Sequence, residues 1–121
     1  MHIEPVDPAE AIRARVPDVL LSHHENVAAA LGDGLVEAAL KERCARYLAS
    51  DEPLVVASAR CTARERAALA WADAMLRDAD GSDDRLWEDL HCHFSDAQLV
   101  ELGYAIAFTL GQQRWLATLD L

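Results

Sequence analysis

The chain has 121 residues, 52% of them hydrophobic, which suits one domain with its own core and is too little for two. Eleven Lys and Arg against twenty-one Asp and Glu leave a formal net charge of −10, and no basic stripe offsets it, so nucleic acid is not an expected partner. The longest uncharged stretch, Leu102 to Gln113, falls well short of the roughly 20 apolar residues that span a bilayer, so no membrane segment is expected.

The opening "MHIEPVDPAEA" carries neither a basic leader nor an apolar run, which predicts a cytoplasmic protein. Cys44, Cys61 and Cys92 are odd in number and lack Cys-x-x-Cys spacing, the pattern of reduced thiols rather than a disulfide framework. Apolar residues recur at three- and four-residue intervals almost throughout, and period-two alternation is missing except for the ambiguous "LVVA" at Leu54 to Ala57. The expectation is a single all-α domain over the whole chain, a compact bundle of about six helices.

In chain order, Asp7 with Glu10 gives a capping box, and Pro8 at the first helical position opens a short helix that ends before Pro17. A second helix from about Asp18 to Leu31 places Leu20, His24, Val27 and Leu31 on one face, with Gly32 as its stop. Asp33 can cap a third helix, about Gly34 to Ala49, whose stripe is Val36, Leu40, Cys44, Tyr47 and Leu48. Residues 50–61 are irregular, with room for one helical turn or two.

Thr62 and Glu65 form another capping box ahead of the alanine-rich "ARERAALAWADAMLRDA", which has strong helix propensity and carries Leu69, Ala72 and Leu76 on one face. Gly81 breaks the chain and Ser82 or Asp83 restarts it, with Leu86, Leu90 and Phe94 packing inward. Ser95 and Gln98 make a third box. The last helix, about Asp96 to Thr118, is apolar nearly all round between Leu99 and Leu110, as expected for the centre of a bundle or an oligomer interface.

The acidic run around Gly81 is not a calcium loop of the EF-hand type. With Gly81 at the sixth position, Leu76 would take the first and Trp87 the last, so both key carboxylates are missing. In "LHCHF", His91 and His93 diverge by about 200° on a helix and share a metal only where the helix has already ended. No cofactor and no metal are expected. His23 and His24 flank the apolar stripe of the second helix, where an imidazole at a pocket edge serves as general base or holds a ligand carboxylate. Glu42 lies about 160° around the third helix from Cys44, on a face of small residues with Ala38, Ala45 and Ala49. Buried there, it would be an acid with a raised pKa; otherwise it is an exposed helix glutamate. Of the thiols, Cys61 has a physical case for reactivity, since Arg60 and the start of the Thr62 helix put positive charge beside it.

The order of these motifs carries a resemblance. "VPDVLLSHHENVAAALGDGLVEAALKE" from Val16 to Glu42 resembles the opening helices of the carboxymuconolactone decarboxylase and alkylhydroperoxidase D superfamily. "TARERAALAWADAML", an acidic turn, "LWEDL" and "HFSDAQLVELGYAIAF" resemble its C-terminal part, and together these segments cover roughly two thirds of the chain. Peroxidase-type members continue from the helix glutamate into Cys-x-x-Cys-x-x-x-His. Here those cysteine positions fall on Leu54 and Ala57 and the histidine position on Cys61, so disulfide-based peroxidase activity is not expected.

The resemblance implies an all-α homo-oligomer. It carries over Glu42 alone among the family's site residues, with His23 and His24 as partners of this chain's own. The function it implies is proton-transfer chemistry or binding of a small carboxylated or lactone-like molecule, without a cofactor. The alternatives are a non-catalytic oligomeric scaffold or protein-binding module, and a residual thiol peroxidase using Cys61 with Cys44 or Cys92. Ala38, Ala45, Ala49 and Trp115 are the residues expected at subunit contacts.

Overall fold

The computed structural model describes residues 7–78, 80 and 83–119. The described residues form seven helices and no strand: α1 (Pro8–Arg13), α2 (Pro17–Leu31), α3 (Ala38–Ala49), α4 (Leu54–Ala57), α5 (Ala63–Arg77), α6 (Asp84–His93) and α7 (Asp96–Thr118). The all-α expectation holds, and the seventh helix is α4, a single turn where the sequence left one turn or two open. Gly81 and Ser82 lie outside the described residues, as do residues 1–6.

Local chemistry explains most of the ends. The Thr62 and Ser95 side chains accept from the backbone N–H groups of Glu65 and Gln98, whose side chains reach back to the capping N–H, so both boxes form in full. At α1 the box does not close. Asp7 accepts from the Ala9 N–H at 3.0 Å, while Glu10 turns away to His24. Asp83 caps α6 by accepting from Leu86 N–H at 2.9 Å. Gly32 ends α2 as expected, with an ordinary negative φ. Its lack of a side chain matters for space, since a Cβ would lie 2.6 Å from the Ala28 carbonyl oxygen.

Helix α3 begins later than the spacing predicts, at Ala38 instead of Gly34. The segment between α2 and α3 is held by side chains. Glu101 of α7 accepts from the N–H groups of Leu35 at 3.2 Å and Val36 at 2.6 Å, and Gln98 donates to the Leu35 carbonyl at 3.1 Å. Lys41, only 2% exposed, donates to the Gly32 carbonyl at 2.8 Å and pairs with Glu101 at 3.2 Å. Backbone groups satisfied this way gain nothing by starting a helix earlier.

The core runs through α3, α5 and α7, with Leu40, Cys44 and Leu48 meeting Ala68, Leu69, Ala72, Leu102 and Ile106, closed at one end by Leu90 and Phe94. Gly103 lets α7 approach α5, because a Cβ there would lie 2.6 Å from the Trp71 ring. Helix α7 is not sheathed all round. Leu99, Leu102, Ala105, Ile106 and Leu110 are buried, while Val100 is 74% and Tyr104 55% exposed on the other side.

Candidate functional site

Helices α1 and α2 pack against the C-terminal half of α7 and leave a cavity of about 370 Å³. On α2, Val19, Ser22, His23 and Asn26 follow one another at helical spacing into this space, and Phe108, Gln112 and Trp115 do the same from α7. Arg13, the last residue of α1, closes the inner wall.

Arg13 is the distinctive group. It is 8% exposed, donates from Nη2 to the Gln112 Oε1 at 2.8 Å, and its guanidinium lies 5.1 Å from the centre of the Trp115 ring. The stacking and the amide dipole make burial of the cation tolerable, but neither neutralises it. Among the described residues no carboxylate forms an ion pair with it. The guanidinium thus stands on the cavity wall as a cation that no described carboxylate pairs, a group suited to an anionic ligand.

His23 is half-buried beside it and stacks on Phe108, with ring centroids 5.9 Å apart and planes 24° apart. Burial, followed by the positive charge of Arg13 and then His24, holds its pKa below the ordinary 6.5, against a smaller opposing effect of Glu10. Near neutral pH the imidazole is uncharged and can accept a proton.

The sequence reading placed His24 on the core stripe and left His23 beside it. The structure reverses them, because α7 crosses α2 on the side of His23, Asn26 and Ala30. His24 is 54% exposed and its Nε2 lies 3.0 Å from Glu10. Both histidines line a second, smaller cavity with Asp7, Glu10, Arg13, Leu20 and Val27. Glu42 is not brought to either cavity. It stands on the open side of α3, 64% exposed and paired with Arg46 at 3.0 Å one turn on, so it takes the exposed alternative of the two the sequence left.

The thiols lie elsewhere. Burial pushes Cys44 up to about 12, the setting of an inert packing residue. Cys61 is also buried, its Sγ approached by Arg43 Nη1 at 3.3 Å, whereas Cys92 is exposed. Helix α6 runs through His93, so His91 and His93 diverge. His91 is bound instead to the Trp87 carbonyl at 2.8 Å and to Asp96 at 3.2 Å. Among the described residues, no three His, Cys, Asp or Glu side chains converge as metal ligands.

Arg13 is the functional candidate that sequence reasoning passed over. Its partner Gln112 is 99 residues away, so no local pattern marks it. No family model matches the chain, and no curated protein or solved structure matches it either.

Proposed function

We propose that the chain is a divergent relative of the carboxymuconolactone decarboxylase superfamily without the thiol redox site, and that it binds a small carboxylated or lactone-like molecule between α1, α2 and α7. One observation carries the reading: a buried guanidinium and an uncharged imidazole face the same cavity. Arg13 takes the carboxylate by charge-assisted hydrogen bonds, while Phe108, Val19 and Trp115 line the apolar part. His23 then accepts a proton from a carbon activated by that group and returns it at a neighbouring position of the same molecule. Such an isomerisation consumes nothing else, so no cofactor is needed. The exposed Glu42 has no part in it.

A panel of small carboxylates and lactones, titrated by calorimetry and assayed for turnover, tests this. Arg13→Gln should weaken binding by more than about tenfold. His23→Ala should leave binding within a few-fold while lowering turnover by roughly 10²–10⁴. A panel in which no compound binds the wild-type protein would reject the proposal.

A second reading, an oligomeric scaffold or protein-binding module, is favoured by the uncovered face of α7. Val100 and Tyr104, 74% and 55% exposed, follow one another with the exposed Ala107 and Gly111 along about 17 Å of helix, with no acidic residue among them, on a chain whose charge is −10. A homo-oligomer would place the like charges outward and this face inward. Light scattering at micromolar concentration decides it: a multiple of 13.3 kDa supports assembly, and a single 13.3 kDa species removes it. Val100→Glu should dissociate any assembly that uses this face.

A further inference from the structure

We infer that the molecule bound beside Arg13 carries an ammonium group as well as a carboxylate: a small zwitterion with an apolar body, of the α-amino acid type. This rests on the carboxylate reading and narrows it. The cavity holds two opposite charges that do not meet. Arg13 forms its inner wall, and Asp18 stands on the same lining, in the first turn of α2. Asp18 is exposed and, among the described residues, makes no ion pair or hydrogen bond; nor does it pair with Arg13, although both line one space of about 370 Å³. A simple carboxylate would satisfy the guanidinium and be repelled by Asp18. A molecule with a charge at each end satisfies both and gains orientation from the pair.

The remaining lining fits. Ser22 and Asn26 supply neutral hydrogen-bonding groups on the α2 side, and His23, uncharged near neutral pH, accepts a hydrogen bond from an ammonium group without competing for the carboxylate. Val19, Phe108 and Trp115 form the apolar wall for a side chain. Among the described residues, Asp7 lies on the smaller cavity and caps α1 through the Ala9 N–H. Glu10 lies on the smaller cavity and is held by His24, so it does not complete the charge balance around Arg13 on the Asp18 side.

L-phenylalanine and 3-phenylpropionate, which differ only in the ammonium group, are the probes, titrated calorimetrically into the full chain. The expected result is that phenylalanine binds at least about tenfold more tightly. Asp18→Asn should remove that preference, by weakening phenylalanine and by relieving the repulsion of 3-phenylpropionate, which then binds at least as tightly as it does to wild type. Because Asp18 is exposed, the variant should melt within about 2–4 °C of wild type. Equal or tighter binding of 3-phenylpropionate overturns the zwitterion and leaves the carboxylate reading standing, and so does a phenylalanine preference that survives in Asp18→Asn. If neither probe saturates while another simple carboxylate does, the zwitterion alone is rejected. If no carboxylate binds at all, both readings fall.

Discussion

Replacing Glu101 by Ala tests how far one carboxylate, with Gln98 and Lys41 beside it, fixes the connection between α2 and α3. In the wild type it receives two backbone N–H groups, Leu35 and Val36, and the ammonium of Lys41, which is itself nearly inaccessible. Truncation leaves that cation with only the Gly32 carbonyl and leaves the two N–H groups without an acceptor. Breaking a buried pair from one side costs about 3–5 kcal/mol. Glu101 retains 22% side-chain exposure, so water offsets part of this and about 2–4 kcal/mol is the working figure. At about 4 °C per kcal/mol for a chain of this length, the melting temperature should fall by roughly 8–16 °C. Far-UV circular dichroism measures both, the melting temperature by heating and the free-energy cost by urea denaturation. Adding Lys41→Met should recover part of the loss, because no unpaired cation then remains. The pH dependence supplies a second readout. The backbone N–H groups and Lys41 hold Glu101 below its ordinary 4.5, so its contribution is complete above that value and disappears as pH falls through the lower folded value. The variant should therefore lose less stability than wild type on acidification below about pH 4.5. A cost under about 0.5 kcal/mol at pH 7, or an unchanged acid profile, would refute the reasoning.

Three further outcomes follow from named contacts. Cys92 should react with a thiol reagent in the folded protein, whereas Cys44, buried and raised to about 12, should react only at the rate of unfolding, which timed labelling with mass readout distinguishes. Gly103→Ala puts a methyl group against the Trp71 ring and should cost about 1–3 kcal/mol, with a change in tryptophan emission as the indole shifts. Leu102→Ala, at a fully buried position between α3 and α5, should cost about 2–5 kcal/mol in the same denaturation assay.

What the sequence disclosed divides along a physical line. Thr62 with Glu65 and Ser95 with Gln98 satisfy one another within a single turn, so their geometry is written in four consecutive residues, and both appear as expected. The stripe of α3 is equally local, and Leu40, Cys44, Tyr47 and Leu48 are all buried. Lys41 and Arg13 are different. Each is a basic residue that local pattern assigns to solvent, and each is buried because a polar group from α7 waits for it, Glu101 in one case and Gln112 in the other. The same distance hides the choice between His23 and His24, since either could face inward until α7 crosses the helix on one side. The two cations then differ in their surroundings. Lys41 is answered by a carboxylate, so its burial is spent on fixing a loop. Arg13 is answered by an amide and an aromatic face, and among the described residues no carboxylate pairs with it at the cavity wall. A protein that needed only packing there would be served as well by an apolar side chain, and that asymmetry is the reason to look for a bound anion beside Arg13 and not beside Lys41.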